Sequence, residues 1–162
     1  MDETLANAIV MLKTEFMKRH NGGSHIHEII PVSSESLSIV EHELDLLHKF
    51  AKSNSIYTGS YEMDILGTAC IVYEGDVNNY WLDSIKHDTS YTPFYPIWIL
   101  SAYAIALESK NLGAKQIIDI GSGDGRIAYC AKVAGLQSYG IEIDENLVGL
   151  ENKISSSTGV DF

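Results

Sequence analysis

A glycine-rich segment between an apolar run and a helix carries the most chemical information in this sequence. It reads Asp119-Ile-Gly-Ser-Gly-Asp-Gly-Arg126. Glycine removes side chains where a ligand must lie against the backbone, and the first turn of the following helix presents N–H groups without a partner inside the helix. Glu142 follows at the end of the next predicted strand, where a carboxylate can accept hydrogen bonds from both hydroxyls of a ribose. The pattern predicts a ligand that contains a nucleoside.

The glycine spacing distinguishes between two classes of such ligands. A dinucleotide-binding loop has the pattern G-x-G-x-x-G, but here Arg126 stands where the third glycine would fall. Asp119 and Asp124 would also repel a pyrophosphate. S-adenosylmethionine carries no phosphate, and its methionyl end bears an ammonium beside a sulfonium, so carboxylates close to the loop suit it. The sequence therefore predicts S-adenosylmethionine as the cofactor.

Together with Tyr139-Gly-Ile-Glu-Ile-Asp144, this segment resembles the cofactor-binding motifs of class I S-adenosylmethionine-dependent methyltransferases, which have a seven-stranded, Rossmann-like sheet. The resemblance covers about residues 91–155. It implies that Asp119 holds the methionyl ammonium, directly or through water. It also implies that Glu142 binds the ribose and that Ile143 packs on the adenine. The residues that would pass beneath the methionyl part are Gly121, Ser122, Gly123 and Gly125.

A narrower similarity involves the phrase G-S-G-D-G-R and the upstream segment Tyr91-Thr92-Pro93. Both are similar to the seven-strand protein lysine methyltransferases, in which a Y-x-P segment borders the cofactor. The similarity implies that Tyr91 and Thr92 lie at the cofactor, and it favours a protein lysine as the methyl acceptor. A methyltransferase for RNA or a small molecule, and a non-catalytic module that binds S-adenosylmethionine or a partner, are the alternatives. The sequence assigns no catalytic residue.

The elements that would position these residues alternate between strands and helices. We expect strands at 116–120, 138–143 and 160–162, with helices at 126–134 and 145–155. This order predicts an α/β fold with a parallel sheet and right-handed crossovers. Only the first half of the family's sheet fits within the sequence. We therefore expect residues 91–162 to form a Rossmann-like domain that binds S-adenosylmethionine and is truncated.

Residues 1–90 are expected to form an N-terminal extension of helices and short strands. Apolar spacing predicts a helix over 3–19 and a second helix that begins after Pro31, with Ser33 as its N-cap. Alternating apolar and polar residues predict short strands and turns between 57 and 82. A further helix, apolar on nearly all sides, is predicted from about Pro96 to Lys110.

Several histidines and charged residues are interpreted as ordinary surface groups. The segment His25-x-His27-Glu28 resembles a metal site, since alternate residues of a strand share a face. Since the sequence places no further ligand beside them, we favour a solvated turn and predict no metal site. Asp124 is also open to interpretation as a solvated acid at a helix start. The other residues expected at the surface are Arg126, His42 and His48.

The composition narrows the classes of partner. Twenty-two acidic against eleven basic residues give a net charge of −11, which disfavours binding to nucleic acid. With 45% hydrophobic residues the chain has enough apolar surface to form a core. Its N-terminus is acidic, no apolar run reaches the ~20 residues of a membrane-spanning helix, and Cys70 and Cys130 are too few for a disulfide framework. We expect a cytoplasmic protein that does not contact membranes.

Overall fold

The computed structural model describes residues 3–20, 25–76 and 94–162 of the protein. These ranges contain five α-helices and five β-strands in a mixed α/β arrangement. None of these helices combines the length and the apolar character that crossing a membrane requires. In chain order the elements are α1 (Glu3–Arg19), β1 (His25–Pro31), α2 (Glu41–Ser53), β2 (Tyr57–Ile65), β3 (Thr68–Asp76), α3 (Ile99–Asn111), β4 (Gln116–Ile120), α4 (Arg126–Val133), β5 (Gln137–Ile141) and α5 (Glu145–Thr158).

The first three strands form an antiparallel sheet in the order β1-β3-β2. Strands β2 and β3 are joined at Leu66 and Gly67, which both have positive φ, as a tight two-residue hairpin turn requires. The Asp64 side chain accepts a hydrogen bond from the Gly67 N–H at 2.9 Å and holds this turn. The prediction of strands and turns between 57 and 82 is confirmed as far as residue 76, and its remainder lies outside the described residues.

Strands β4 and β5 pair in parallel and are connected through α4, as the sequence predicts. They form a two-stranded sheet, so the described residues do not build a Rossmann-like sheet. The strand expected at 160–162 is wrong. Helix α5 continues to Thr158, Gly159 ends it with a φ of 73°, and the Phe162 ring packs edge-on against Tyr129 at 5.3 Å. One face of the sheet is apolar and exposed, through Ile118, Ile120, Tyr139 and Ile141.

Two predicted helix starts also differ from the structure. Ser33 caps a 3₁₀ turn at Ser34–Ser36 rather than an α-helix, and its hydroxyl accepts a hydrogen bond from the Glu35 N–H at 3.3 Å. Ser38 then has a φ of 53°, which no helix can continue through, and α2 begins at Glu41. The helix expected from Pro96 begins at Ile99, since the backbone before it is extended.

One hydrophobic cluster includes residues from both halves of the chain. Helix α2 packs against α4 and α5, where the rings of Phe50 and Tyr129 lie 4.9 Å apart. The Tyr129 hydroxyl also donates to the backbone oxygen of Leu46 at 2.8 Å. The boundary predicted between residues 90 and 91 falls outside the described residues and stays a prediction. Helix α2, which precedes that boundary in the chain, packs against α4, which follows it.

Two glycine substitutions test the close packing of Gly75 in β3 and the helical conformation at Gly149 in α5, with opposite expected effects on stability. A Cβ atom on Gly75 would lie 1.9 Å from the backbone oxygen of Ile56, so Gly75→Ala must displace the backbone. We expect it to lower the free energy of unfolding by about 1–3 kcal/mol. Gly149 lies within α5 with no atom within 4 Å of such a Cβ, so Gly149→Ala should raise this free energy by about 0.5–1 kcal/mol. Urea unfolding measures both, and a tolerated Gly75→Ala would contradict the packing.

Candidate functional site at the glycine-rich loop

The segment 121–125, called the glycine loop below, connects β4 to α4. Gly121, Gly123 and Gly125 all have positive φ, which explains their residue type. A Cβ on Gly123 would lie 2.5 Å from the Phe94 ring, and one on Gly125 would lie 2.3 Å from the Phe162 ring. At Gly121 nothing lies within 4 Å of that position. Glycine therefore leaves room for a ligand at Gly121. At Gly123 and Gly125, rings of the protein itself occupy the space.

Backbone N–H groups of the glycine loop are bound within the protein. Gly121 and Ser122 both donate to the backbone oxygen of Ile141, at 2.7 and 3.1 Å. Gly125 donates to the backbone oxygen of Ser122 at 2.9 Å. Gly123 donates to the carboxylate of Glu142 at 2.8 Å. A phosphate at this loop would compete with internal acceptors for these four donors, unlike in a dinucleotide site, where the loop N–H groups hold the pyrophosphate.

Glu142 connects the ends of both parallel strands. Its Oε2 accepts from Gly123 on the loop after β4, while its Oε1 accepts from the N–H groups of Ile143 at 2.7 Å and Asp144 at 3.0 Å. Asp144 in turn caps α5 by accepting from the Asn146 N–H at 2.9 Å. The sequence placed Glu142 at this strand end, and the structure brings it to the glycine loop. Ile143 beside it is 73% exposed.

Carboxylates surround the glycine loop closely enough to influence one another's protonation. Burial raises the pKa of Asp119, and the negative charges of Asp124 and Glu142 raise it further. The pKa of Glu151 on α5 is raised to about 6, first by burial and then by Glu142, Asp124 and Asp119, although a hydrogen bond from the Ser122 hydroxyl opposes the rise. Burial is the larger cause of both shifts, and the neighbouring carboxylates add a smaller contribution that a nearby cation would offset.

Directly beneath the glycine loop, Arg126 is buried between two carboxylates. Its guanidinium binds Asp124 through two nitrogens, including Nε to Oδ1 at 2.9 Å, and its Nη1 binds Glu28 of β1. All three side chains are at most 3% exposed. The same Nη1 also donates to the backbone oxygen of Ile97. The expectations that Arg126 lies at the surface and that Glu28 belongs to a solvated turn are both wrong, as is the interpretation of Asp124 as solvated.

Side chains from the N-terminal region complete this buried ion-pair network. Asn54, just after α2, donates to Asp124 at 2.8 Å, and Tyr57 at the start of β2 donates to Glu28 at 2.9 Å. Glu28 also accepts from the Ile99 N–H at 2.8 Å, so it satisfies the first turn of α3. Burial raises the pKa of Glu28, while Arg126 works against that rise. The network thereby fixes Asp124, and with it the second half of the glycine loop, to the antiparallel sheet.

Sequence reasoning missed Glu151 and the burial of this network for a common reason. Glu151 approaches the loop only because α5 folds back beside it, and Glu28 lies 98 residues from Arg126. A usable signal was present in Asp124-Gly-Arg126, since an acid and a base two residues apart at a helix start can pair. His48 was likewise expected at the surface but bonds to Tyr73 at 2.8 Å and to the Pro31 oxygen at 2.9 Å.

Removal of one acid tests the ion-pair network. Glu28→Ala leaves Arg126 buried with Asp124 as its remaining carboxylate partner, and loss of one partner of a buried ion pair costs about 3–5 kcal/mol in unfolding free energy. The matched control is Glu62→Ala, an exposed strand glutamate whose loss should change stability by less than about 0.5 kcal/mol. Urea unfolding of both variants checks the prediction. Equal stabilities would show that the network contributes little.

A pH series tests the charges around the loop. Because the pKa of Glu151 rises from 4.5 to about 6 on folding, this carboxyl stabilises the fold below pH 4.5 and loses that contribution as the pH rises through 6. Glu151→Gln resembles the neutral form and still accepts from Ser122. Its stability relative to the wild type should therefore increase between pH 4.5 and pH 7 in urea unfolding. Glu145→Gln, on the exposed side of α5, controls for the loss of one charge, and a pH-independent difference would contradict the shift.

The predicted site residues meet at one edge of the parallel sheet. Asp119, the glycine loop and Glu142 lie together there, with Ile143 adjacent and exposed. Tyr91 and Thr92, the other two residues predicted at the cofactor, lie outside the described residues. No known protein family, curated protein or solved structure matches this chain.

Proposed function

We propose that the protein binds S-adenosylmethionine at the glycine loop and is a methyltransferase of the class I type that its motif resembles. The observation that carries this proposal is the combination of charge and donors at the loop. Asp119, Glu142 and Glu151 create a negative potential, while four of the five loop N–H groups, those of Gly121, Ser122, Gly123 and Gly125, have internal acceptors. That potential attracts a sulfonium and an ammonium, and it repels a pyrophosphate.

Three of the predicted contacts, those of Asp119, Glu142 and Ile143, have a physical basis in the geometry. Asp119 is half-buried beside two other acids, and both features disfavour its ionised form. An ammonium placed there would stabilise the ionised carboxylate. Glu142 already accepts from three N–H groups, and exchange of the Gly123 bond for ribose hydroxyls would leave two of them in place. The exposed side chain of Ile143 offers an apolar surface for the adenine. Contacts from Tyr91 and Thr92 remain predictions from the resemblance.

The unit β4–α4–β5–α5 would correspond to the first two strands of the family's Rossmann-like sheet. Its parallel pairing and the position of the glycine loop at the carboxyl ends of the strands support this assignment. The exposed apolar face of this pair, through Ile118, Ile120, Tyr139 and Ile141, supports it as well. Parallel sheets are usually covered on both faces, and their strands are correspondingly apolar on both.

Methyl transfer asks for positioning rather than for a reactive side chain. S-adenosylmethionine supplies a methyl group that its sulfonium already activates. The protein must hold the donor and align an acceptor in line with that methyl. We favour a protein lysine as acceptor because of the similarity to the seven-strand protein lysine methyltransferases, and the net charge of −11 disfavours RNA. A small-molecule acceptor, and binding without catalysis, are the competing outcomes of the tests below.

Calorimetric titration with S-adenosylmethionine, S-adenosylhomocysteine and NAD tests the cofactor. We expect the first two to bind and NAD not to bind. Glu142→Ala should weaken the binding by more than tenfold, because loss of a charge-assisted hydrogen bond costs about 1.5–3 kcal/mol. Glu145→Ala, an exposed acid three residues later, is the matched control and should change the affinity less than twofold. Binding of NAD, or an unchanged affinity in Glu142→Ala, would contradict the assignment.

Labelled methyl transfer in a cell extract separates an enzyme from a binding module. The protein is incubated with S-adenosylmethionine that carries a labelled methyl group, and the protein, RNA and small-molecule fractions are counted. Label in protein, stable to acid and base as an N-methyl amine is, supports a lysine acceptor. Label in RNA or in small molecules would replace that acceptor. Cofactor binding without transfer to any fraction would favour the non-catalytic module.

A further inference from the structure

We propose that His20, His27 and Glu74 form a binding site for a divalent transition-metal ion of the zinc type. The three side chains each offer one ligand atom, and these atoms all lie within 4.8 Å of one another. His27 and Glu28 are consecutive in β1 and so point to opposite faces of the sheet. The proposed site therefore lies on the face away from the buried Arg126, and it does not depend on the proposed methyl transfer.

Sheet register brings two of the ligands together. His27 of β1 is directly opposite Glu74 of β3 in the antiparallel pairing, which places the two side chains on the same face. The His27 Nε2 lies 4.0 Å from the Glu74 Oε2. Ligand atoms around a tetrahedral zinc ion lie about 3.3 Å apart, since zinc–nitrogen and zinc–oxygen bonds are about 2.0–2.2 Å long. Side-chain rotations that move each atom by about an ångström would suffice to close the site.

The third ligand comes from the end of α1. His20 is the residue after the last one of the helix, and its ring centroid lies 4.5 Å from that of His27. Phe16, one turn earlier, is fully buried and contacts both imidazoles, with ring centroids 4.4 and 5.2 Å away. The Tyr61 hydroxyl lies 3.0 Å from the His20 Nε2. A buried ring behind both ligands and a hydroxyl on one of them restrict imidazole orientation, as the hydrogen-bond partners of metal-bound histidines do.

The donor set decides the class of ion. Two imidazoles and one carboxylate suit Zn²⁺ and its transition-metal neighbours, whereas Mg²⁺ and Ca²⁺ prefer oxygen ligands alone. Three protein ligands leave at least one coordination position for water or another molecule. The site is also accessible, because the side chain of Glu74 is 47% exposed while that of His27 is 16% exposed. An ion can enter from solvent and bind against a largely buried imidazole.

The sequence pattern His25-x-His27-Glu28, which resembles a metal site, contains one of the three proposed ligands. His27 belonged to it, but Glu28 faces Arg126 on the other side of β1. His20 and Glu74 were not associated with it, because they come from α1 and from the far end of the β2–β3 hairpin. The prediction of no metal site rested on the lack of a further ligand near His27. Folding supplies those ligands from two other elements.

Calorimetric titration of the tag-free, chelator-treated chain with ZnCl₂ tests the site. We expect one ion per chain, and no binding of MgCl₂ under the same conditions. His27→Gln and Glu74→Gln should each weaken zinc binding by at least about tenfold. Mutation of a residue that only hydrogen-bonds to a metal ligand often costs that much, and these variants remove the ligand itself. The control is His42→Gln, which removes an exposed histidine of α2 and should leave the affinity unchanged. Tyr61→Phe should weaken the binding less than loss of a ligand.

Thermal unfolding with and without ZnCl₂ provides a readout that distinguishes loss of the site from loss of the fold. Zinc should raise the unfolding temperature of the wild type and of His42→Gln, because an ion that binds the folded state stabilises it. The ligand variants should unfold cooperatively without such a rise. Co²⁺ should give the visible absorption of tetrahedral coordination in the wild type. Undiminished zinc binding in His27→Gln or Glu74→Gln, or no binding to the wild type, would overturn the proposal.

Discussion

The buried pairing of Arg126 with Asp124 and Glu28 joins the glycine loop to the antiparallel sheet. A guanidinium removed from water costs several kcal/mol unless acids and backbone oxygens compensate it, so its partners must hold their positions. One of these partners lies in the glycine loop and the other lies in β1, 98 residues away in sequence. The geometry of the glycine loop is therefore set jointly by α4 and by the antiparallel sheet. Residues of the N-terminal region, Glu28 and Asn54, therefore help to hold the glycine loop in place.

This arrangement also determines what the glycine loop presents to solvent. The one basic residue of the segment 119–126 is turned into the core, and the loop N–H groups bind Ile141, Ser122 and Glu142. The charges that remain at the loop are carboxylates, and burial, together with their mutual repulsion, raises the pKa values of Asp119 and Glu151. The positively charged ligand that we propose would therefore meet carboxylates whose surroundings are fixed by the buried ion pairs underneath.

The features that could be predicted from sequence are local ones. The helix over 3–19, the strand over 116–120 and the turn after it follow from apolar spacing and glycine, which act within a few residues. Prediction from sequence failed where contacts with residues distant in sequence determine the position of a side chain. Arg126 has the appearance of a surface residue until β1 is brought to it by folding. Ser33 has the sequence of a helix cap, but the left-handed conformation of Ser38 confines it to a short turn. His20 joins His27 only through the packing of α1 on the sheet.

We propose that the glycine loop receives a cationic methyl donor. A crystal structure of the protein with S-adenosylmethionine tests it most directly. We expect the Glu142 carboxylate to exchange its bond to Gly123 for the ribose hydroxyls, the methionyl ammonium to lie at Asp119, and Arg126 to keep both of its acidic partners. A donor bound elsewhere on the protein, or a phosphate-bearing molecule held by the loop N–H groups instead, would contradict it.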